Sequence, residues 1–309
     1  MTKLILANNQ AHNAISGAVQ LLSSGRSCLD VVEEGIKHVE NDPEIITVGY
    51  GGAPNLLGQM ELDASIMDGS TRQTGAVGAL IGFAHPISVA RRVMHDLPHE
   101  LLVGEGAARF ADEIGAEKRD MLSPKAKQSY VKWIAENFEG INAAEELQDK
   151  KLAEYTWPSA RADIAKGTTT FLVCDGKGML AAGASTSGWA YCYPGRLGDS
   201  PIIGAGVYVD NRYGGATCTH TGEMTIRCST ARSVVLYMKK GATVQEASHE
   251  ALQDLKDLKL GYIGPVVIHA IDTNSNHYVC TNQSEGAKEP YCFWKEDMAE
   301  PVRTSPVVI

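Results

Sequence analysis

The first forty residues carry two runs of apolar positions with helical spacing. The apolar positions of the two runs are Ala14, Ile15, Ala18, Val19 and Leu22, then Leu29, Val32, Ile36 and Val39. Side chains three or four residues apart share one face of a helix, so these runs predict helices over residues 10–24 and 27–41. Ser24 and Gly25 between them are typical of a break.

Strand and helix patterns alternate through the rest of the first half. Residues 61–69 alternate in part and end in a turn signal, which predicts a strand. Residues 75–81 fit either a second strand or the start of a packed helix. Helical patterns follow over residues 86–94, 104–114 and 123–137.

A glycine-rich loop, Val48–Asn55, lies between the second helix and the first of these strands. The loop lacks the lysine and the spacing of a phosphate-binding P-loop. We therefore predict that its glycines allow close packing of the backbone.

Residues 138–167 differ in character from the sequence before them. They are rich in charged and small residues, contain Pro158 and show weak periodicity. This composition predicts an exposed linker with some helix in it. A chain can be cut in such a linker without unfolding the halves on either side.

The second half is sheet-like. The predicted strands cover residues 168–175, 179–185, 202–209, 216–219, 266–271 and 277–281, the last two closing the sheet. Gly176-Lys177-Gly178 is a hairpin signal between the first two strands. A long helix is predicted over residues 223–239 and another over residues 243–258. Helices, then strands, then helices are typical of a layered sandwich, which places the chain in the α+β class.

Composition excludes several classes of function. The net charge of −9 argues against a nucleic-acid partner, because phosphate binding needs a basic surface. Seven cysteines without metal spacing indicate reduced thiols and no disulfide framework.

The N-terminal apolar run is too short for a signal peptide, and no stretch is long enough to cross a membrane, so we expect a cytoplasmic protein. His95 and His99 have helical spacing for a metal, but Pro98 interrupts it, and no metal is expected.

Several motifs lie between residues 167 and 223. They are Gly167-Thr168-Thr169-Thr170, Ser185-Thr186-Ser187-Gly188, the run from Gly195 to Gly206 that contains Gly-Asp-Ser-Pro-Ile-Ile-Gly-Ala-Gly, and Thr217-Cys218-Thr219-His220-Thr221-Gly222-Glu223. This set resembles the glycosylasparaginase and plant-type asparaginase/isoaspartyl peptidase family of N-terminal-nucleophile hydrolases. The resemblance covers nearly the whole chain and is most specific after residue 167.

The resemblance implies a four-layer αββα sandwich that cuts its own chain. An internal threonine has no free amine, whereas an N-terminal threonine carries a hydroxyl nucleophile and an α-amine base in one residue. The cut would separate Gly167 from Thr168 and give an alpha subunit of residues 1–167 and a beta subunit of residues 168–309. The family further implies an (αβ)₂ assembly, a small β-aspartyl or asparagine-derived substrate and no cofactor.

Four offsets select Thr168 rather than Thr169 or Thr170 as the nucleophile. Counted from Thr168, the residues at the family's remaining positions are Thr186, Arg196, Asp199 and Thr219. Counting from Thr169 matches none of these positions, and counting from Thr170 matches only the last, at Thr221.

Each role carried over from the family has a physical reason. Thr186 would hydrogen-bond near the Thr168 hydroxyl. Arg196 would hold the α-carboxylate of the substrate with its guanidinium fork, and Asp199 would hold the α-ammonium. The Thr219 hydroxyl and the backbone N–H of His220 would form the oxyanion hole.

Three departures leave the substrate open. His220 stands where the family usually has glycine, so an imidazole would crowd or reshape the pocket. In glycosylasparaginases the residue before the nucleophile is aspartate, whereas Gly167 matches the isoaspartyl peptidases. The Val48–Asn55 loop is nonetheless closer to that of the glycosylasparaginases. Asn9 stands where glycosylasparaginases have a tryptophan that helps to seat the substrate. The alternatives are a glycosylasparaginase-like enzyme, an isoaspartyl peptidase or L-asparaginase, and an unprocessed, inactive or binding homologue.

Other residues also have two interpretations. Arg196 and Asp199 could form no more than a surface ion pair. Trp189 could line the leaving-group side of the pocket or belong to the core or a dimer contact. Cys218, beside Thr219, is interpreted as a buried structural thiol.

Overall fold

A computed structural model describes residues 2–141, 144–160 and 167–309 of the chain. The strands are β1 (Lys3–Asn8), β2 (Leu62–Asp68), β3 (Thr74–Leu80), β4 (Leu101–Val103), β5 (Thr169–Asp175), β6 (Leu180–Thr186), β7 (Val207–Asp210), β8 (Gly214–His220), β9 (Val266–Asp272), β10 (His277–Thr281), β11 (Tyr291–Lys295), β12 (Val302–Thr304) and β13 (Val307–Val308). The helices are α1 (Ile15–Ser23), α2 (Cys28–Asn41), α3 (Pro86–Asp96), α4 (Gly104–Glu113), α5 (Pro124–Asn137), α6 (Gly222–Cys228), α7 (Thr230–Lys239) and α8 (Val244–Lys256).

These strands form two sheets. The larger sheet has the order β12-β11-β1-β5-β6-β2-β3-β4, and the smaller has the order β13-β10-β9-β8-β7. Neighbouring strands are antiparallel except for the pairs β3–β4 and β10–β13, which are parallel. Strands β5 and β6 therefore lie in the middle of the larger sheet, and the hairpin predicted between them is confirmed.

The two sheets face each other, and helices cover both outer faces. On β5, Phe171 and Val173 pack with residues of α1, α2 and α3, whereas Leu172 and Cys174 pack with residues of the smaller sheet. Alternate side chains of one strand thus enter two different cores. A third core joins α6, α7 and α8 to the far face of the smaller sheet. The predicted four-layer αββα sandwich is confirmed.

Most predicted helices and strands are confirmed, with ends that move by a few residues. Residues 75–81, left open between strand and helix, belong to strand β3. No helix in the described ranges is both long and apolar enough to cross a membrane.

The single helix predicted over residues 223–239 is wrong. Helix α6 ends at Cys228, Ser229 takes a left-handed φ of 48°, and α7 begins at Thr230. The first-turn N–H groups of Ala231 and Arg232 donate to the carbonyl oxygens of Ala205 and Gly204. Because a neighbouring loop satisfies these donors, the break leaves them paired, and no glycine or proline in the sequence marks it.

The strand predicted over residues 202–209 is also partly wrong, because only Val207–Asp210 is a strand. Ile202 donates its N–H to the carbonyl oxygen of Asp199, and Ala205 donates to Ile202, so this stretch turns. At Gly206 an added Cβ would lie 2.4 Å from the carbonyl oxygen of Asp199. The turn therefore folds back onto Asp199, and residue 206 must be a glycine.

The sheets do not close at residue 281 as predicted. Strand β11 pairs with β1, which makes the N-terminal strand an inner one, and β12 and β13 add further edges. Strand β1 was not predicted, although its apolar run Leu4–Ala7 is almost fully buried. A short apolar run without alternation is typical of a strand that is covered on both faces.

Residues 138–167 are less exposed than predicted. Phe138, Ile141 and Leu147 are buried in a cluster with Trp133 and Tyr191, beside short 3-10 turns. The parts of the predicted linker at residues 142–143 and 161–166 lie outside the described residues.

The seven cysteines, all within the described ranges, carry free thiols. Six are buried and Cys228 is partly exposed. Burial raises the pKa of the Cys218 thiol well above its ordinary value, so it is a structural residue as predicted.

Two helical glycines test how tightly α2 lies on the larger sheet. A Cβ at Gly35 would lie 2.8 Å from Phe171 Cε1, whereas a Cβ at Gly17 in α1 would meet nothing within 4 Å. We expect Gly35→Ala to lower the free energy of unfolding by about 1–3 kcal/mol through overpacking. Gly17→Ala should raise it by about 0.5 kcal/mol, because alanine favours helix. Urea unfolding measures both, and equal signs would contradict the packing described here.

Candidate active site

The peptide between Gly167 and Thr168 lies at the head of β5, next to the end of β1. The side-chain amide of Asn8 donates to the carbonyl oxygen of Thr168. Its Oδ1 accepts from the backbone N–H of Thr170 at 2.9 Å. Asn8 thus extends the β1–β5 pairing beyond Ala7–Phe171 and fixes the start of the strand. Thr168 is only 5% exposed.

Thr186 contacts the peptide from the other side. Its hydroxyl donates to the carbonyl oxygen of Gly167 at 2.7 Å and accepts from the backbone N–H of Gly188 at 2.9 Å. The prediction was that Thr186 hydrogen-bonds near the Thr168 hydroxyl. In the intact chain its hydrogen bond instead polarises the carbonyl group just before Thr168.

Gly167 has no room for a side chain. A Cβ there would lie 2.8 Å from Oγ1 of Thr47 and 3.1 Å from its Cβ and Cγ2. Thr47 follows helix α2 and precedes the glycine-rich loop.

The loop Val48–Asn55 packs as closely as predicted. A Cβ at Gly49 would lie 2.1 Å from the carbonyl oxygen of Glu40, and one at Gly52 would lie 2.3 Å from Ser187 Oγ. Its glycines therefore let the loop approach Ser187, directly after Thr186 at the end of β6.

The Thr168 hydroxyl has a serine neighbour that the sequence reasoning missed. Thr168 Oγ1 lies 3.2 Å from Ser200 Oγ. Ser65 of β2 donates to the carbonyl oxygen of Ser200 at 2.5 Å and holds this segment against the larger sheet. Ser200 directly follows Asp199 in the Gly-Asp-Ser-Pro motif, which was the available signal.

Arg196 is not paired with Asp199. Its Nε and Nη2 donate to the carboxylate of Glu223 at 2.9–3.0 Å, and its guanidinium lies 4.7 Å from the Trp189 ring centroid. The Arg196 side chain is 15% exposed, so the pair is not a simple surface ion pair. Nη1 faces Gly188 and Gly198. Trp189 is 8% exposed and contacts the ring of Tyr262 edge-on.

Asp199 is a buried acid that accepts a hydrogen bond from Thr225 Oγ1 at 2.8 Å. Burial raises the pKa of Asp199 from its ordinary 3.8 to about 6. Burial likewise raises the pKa of Asp63, whose carboxylate accepts from the backbone N–H groups of Ala79 and Gly198, to about 7. The Arg196 guanidinium opposes both shifts by favouring the charged forms.

Thr219 and His220 end strand β8. His220 takes a φ of 84°, a conformation that glycine adopts easily and other residues rarely do. Its Nδ1 lies 3.1 Å from Thr219 Oγ1, and its Nε2 lies 3.5 Å from the Glu289 carboxylate.

These residues surround a cavity of about 10 Å³, which has room for about one water molecule. The lining residues include Gly167, Thr168, Thr186, Trp189, Arg196, Asp199, Ser200 and His220. Thr219 is not among them, but it directly precedes His220, and its hydroxyl contacts the His220 ring. The structure therefore brings together every residue predicted for the site. No group of three His, Cys, Asp or Glu side chains in the described ranges is arranged to hold a metal ion.

Asn9, aligned with the substrate-seating tryptophan, does not belong to this cluster. Its Oδ1 accepts from the guanidinium of Arg303 in a solvent-exposed contact. Its neighbour Asn8 reaches the site instead. Asn8, Thr47 and Glu223 were not predicted as site residues, because neither periodicity nor motif spacing links them to Thr168.

Comparison with known proteins agrees with this geometry. A sequence model of the family described as asparaginase matches residues 2–287. The chain is 38% identical to the N(4)-(beta-N-acetylglucosaminyl)-L-asparaginase of Elizabethkingia miricola over 257 residues, 80% of this chain and 70% of that protein. It is 36% identical to the plant-type L-asparaginase of Pyrococcus furiosus over 277 residues, 89% of this chain and 86% of that one.

A third relative is the isoaspartyl peptidase/L-asparaginase of Mus musculus. It is 35% identical over 261 residues, which cover 83% of this chain and 74% of the mouse protein. The fold is that of an N-terminal-nucleophile hydrolase, and the chain belongs to the asparaginase family.

The raised pKa of Asp199 predicts how stability depends on pH. The folded protein holds this proton up to about pH 6 and the unfolded chain only up to about 3.8, so the stability that Asp199 contributes below pH 4 is lost as the pH rises through 6. Asp199→Asn keeps an acceptor for Thr225 and does not titrate. We expect the free energy of unfolding of the variant, relative to that of the wild type, to increase by up to about 3 kcal/mol as the pH rises from 4 to 7.

Urea unfolding of both proteins at several pH values measures this difference. The Asp63 titration is common to both proteins and cancels. A difference that stays constant with pH would contradict the assignment of the raised pKa to Asp199.

Proposed function

We propose that this protein is an amidohydrolase that cuts the side-chain amide of N4-substituted asparagine and releases aspartate. The observation that carries the proposal is the arrangement around one peptide. The Gly167 carbonyl group accepts from Thr186, and the Thr168 hydroxyl lies among Ser200, Arg196 and Asp199. The names of the relatives support an amide of asparagine as the substrate.

The first step of the proposal is self-cleavage. The Thr168 hydroxyl attacks the carbonyl carbon of Gly167, its proton passes to the departing amide nitrogen, and the amide becomes an ester that water hydrolyses. Thr186 stabilises the oxygen on which negative charge develops, and Ser200 hydrogen-bonds the attacking hydroxyl. The products are the subunits 1–167 and 168–309.

The cut would also create the substrate site. The cavity beside Thr168 is too small for an amino acid while Gly167 lies in its wall. Once the residue 167 carboxyl end leaves, the Thr186 hydroxyl loses that partner and the space becomes available. The new α-amine of Thr168, with a reference pKa of about 7.7–8.0, is neutral often enough to act as the base.

Substrate recognition would use the two buried charges. Arg196 is oriented by Glu223 through Nε and Nη2, which leaves Nη1 to reach the α-carboxylate of a substrate from the cavity wall. Asp199 would take the α-ammonium. The attack by Thr168 on the side-chain carbonyl would place the oxyanion near the Thr219 hydroxyl and the His220 backbone N–H.

An alternative within the same chemistry is an isoaspartyl peptidase or L-asparaginase. Relatives with those names are 35–36% identical to this chain, close to the 38% of the glycosylasparaginase. Three substrates distinguish the candidates: N4-(β-N-acetylglucosaminyl)-asparagine, a β-aspartyl dipeptide and asparagine. Aspartate released per enzyme from each, measured on cleaved protein, identifies the leaving group.

An inactive or binding homologue remains the alternative of another class, motivated by His220 in a glycine position. Long incubation followed by a denaturing gel separates the two. Two fragments that meet at residues 167 and 168 support the enzyme, and a single full-length band favours the homologue.

Assembly as (αβ)₂ is part of the proposal and rests on the family resemblance. A cytoplasmic location is likewise proposed, because seven free thiols are typical of a reducing compartment.

Removing the proposed nucleophile should abolish both reactions. We expect Thr168→Ala to remain one chain and to release no aspartate, because nucleophile and base are the same residue. Thr169→Val is the matched control, since the Thr169 hydroxyl is buried without a hydrogen-bond partner in the described structure and valine keeps its shape. Self-cleavage or turnover by Thr168→Ala would refute the assignment.

A methyl group at residue 167 should slow self-cleavage. Gly167→Ala places a carbon against the Thr47 side chain and displaces the carbonyl group from Thr186, so we expect at least a tenfold lower rate on a gel time course. Adding Thr47→Ala removes two of the three close atoms and should restore part of the rate. An unchanged rate in Gly167→Ala would show that the position of this carbonyl group does not matter.

A further inference from the structure

Glu40, near the end of α2, is a carboxylic acid with no exposed surface, and it takes no part in the reaction proposed above. Removing such a group from water is costly unless hydrogen bonds compensate for the lost hydration, so its partners indicate its role. These partners belong to three parts of the fold: strand β6, the start of helix α3 and the glycine-rich loop that follows α2.

The side chain of Glu40 joins β6 to α3. Its Oε1 accepts from the Ser185 hydroxyl at 2.7 Å and from the backbone N–H of Ile87 at 3.2 Å. The second contact satisfies one of the first N–H groups of α3, which have no partner within their own helix. Oε2 lies 3.3 Å from His85 Nδ1. The two contacts of Oε1 need only an acceptor, so they do not depend on whether the carboxyl group is ionised.

The backbone of Glu40 contacts the glycine-rich loop. Gly49 takes a φ of 56°, and a Cβ there would lie 2.1 Å from the carbonyl oxygen of Glu40 and 2.5 Å from its Cα. The segment between Glu40 and Gly49 therefore begins and ends at the same place. It contains Thr47, which fills the space beside Gly167.

Ser185 links Glu40 to Thr186. Successive side chains of a strand face opposite sides of the sheet. Ser185 reaches Glu40 on the α2 side, so Thr186 faces the other side, where its hydroxyl donates to the carbonyl oxygen of Gly167. The last residue of β6 cannot shift or rotate without breaking the contact between Ser185 and Glu40.

The two residues that confine the Gly167 carbonyl group are therefore both attached to Glu40. Thr186 is held through Ser185, and Thr47 is held through the loop that returns at Gly49. The backbone N–H of Ser187 also donates to the carbonyl oxygen of Thr47 at 3.0 Å, which joins the two attachments next to the site.

We propose that Glu40 is a positioning residue for self-cleavage, which acts on the Gly167 carbonyl group through Ser185 and Thr186 on one side and through Thr47 on the other. The inference rests on the proposed function, because the position of Thr186 affects a reaction only if Thr168 attacks Gly167. A displacement of about 1 Å at a reacting group can cost about 10² in rate, which sets the size of the effect.

The first test follows self-cleavage during cell-free synthesis, by the loss of the full-length band on a denaturing gel. Ser185→Ala removes the contact with Glu40 and leaves Thr186 in the chain, so we expect the rate to fall about tenfold or more. Glu40→Gln keeps an acceptor for Ser185 and for the Ile87 N–H, and it should keep most of the wild-type rate. Glu40→Leu offers no acceptor and should be at least as slow as Ser185→Ala.

Ser248→Ala is the matched control for these variants. Ser248 is also fully buried, and its hydroxyl donates to the carbonyl oxygen of Val244 at 2.7 Å within α8. Its loss removes one buried hydrogen bond of a serine, as Ser185→Ala does, but should leave the rate of self-cleavage unchanged. A wild-type rate in Ser185→Ala, or an equal loss of rate in Ser248→Ala, would overturn the inference.

A second readout needs no cleavage. In a Thr168→Ala background, amide hydrogen exchange reports the hydrogen bonds from the Gly188 N–H to Thr186 Oγ1 and from the Ser187 N–H to the carbonyl oxygen of Thr47. Adding Ser185→Ala should speed exchange at both amides by about tenfold or more, whereas adding Glu40→Gln should not.

Unchanged exchange at both amides would also overturn the inference. Faster exchange in the Ser185→Ala variant, together with a wild-type chain that never cuts itself, would keep Glu40 as the residue that positions Thr186 and would refute the proposed function.

Discussion

The peptide between Gly167 and Thr168 is confined on several sides, and the rest of the site is arranged around it. Thr186 donates to the carbonyl oxygen on one side of this peptide, and Asn8 donates to the carbonyl oxygen that follows it. Thr47 fills the space where a side chain at residue 167 would lie. A glycine is therefore a steric requirement at this position, and the strand that follows starts with a fixed orientation of the Thr168 hydroxyl.

Both sheets contribute residues to the site around this peptide. The larger sheet supplies Asn8, Thr186 and, through Ser65, the position of Ser200. The smaller sheet supplies Thr219 and His220 at the end of β8. The site thus lies where strand ends of both sheets meet. Burial disfavours the charged form of the Asp199 carboxyl group, and a bound ammonium group would offset that penalty.

Much of this could be predicted from the sequence because the informative residues have local signals. Apolar spacing located α2, and the Gly176–Gly178 turn located the β5–β6 hairpin. The motif offsets placed Thr168, Thr186 and Arg196 in one cavity. These signals are short-range, so they survive without knowledge of the fold.

What was missed depends on contacts between distant parts of the chain. Asn8 meets Thr168 across 160 residues, and no local pattern records that pairing. Glu223 lies in the first turn of α6, as predicted, but no sequence pattern shows that its carboxylate orients Arg196. The break at Ser229 is possible because the Gly204–Ala205 loop accepts the first N–H groups of the next helix. Strand β11 is defined by its pairing with β1, at the other end of the chain.

The most direct test of Thr168 as the nucleophile is to trap the acyl-enzyme. Cleaved protein is mixed with a β-aspartyl substrate and quenched in acid within the turnover time, and its fragments are then mapped by mass spectrometry. We expect an aspartyl ester on the hydroxyl of Thr168, on a fragment whose first residue is Thr168 with a free α-amine. An aspartyl group on any other residue, or turnover by a chain still joined between residues 167 and 168, would contradict it.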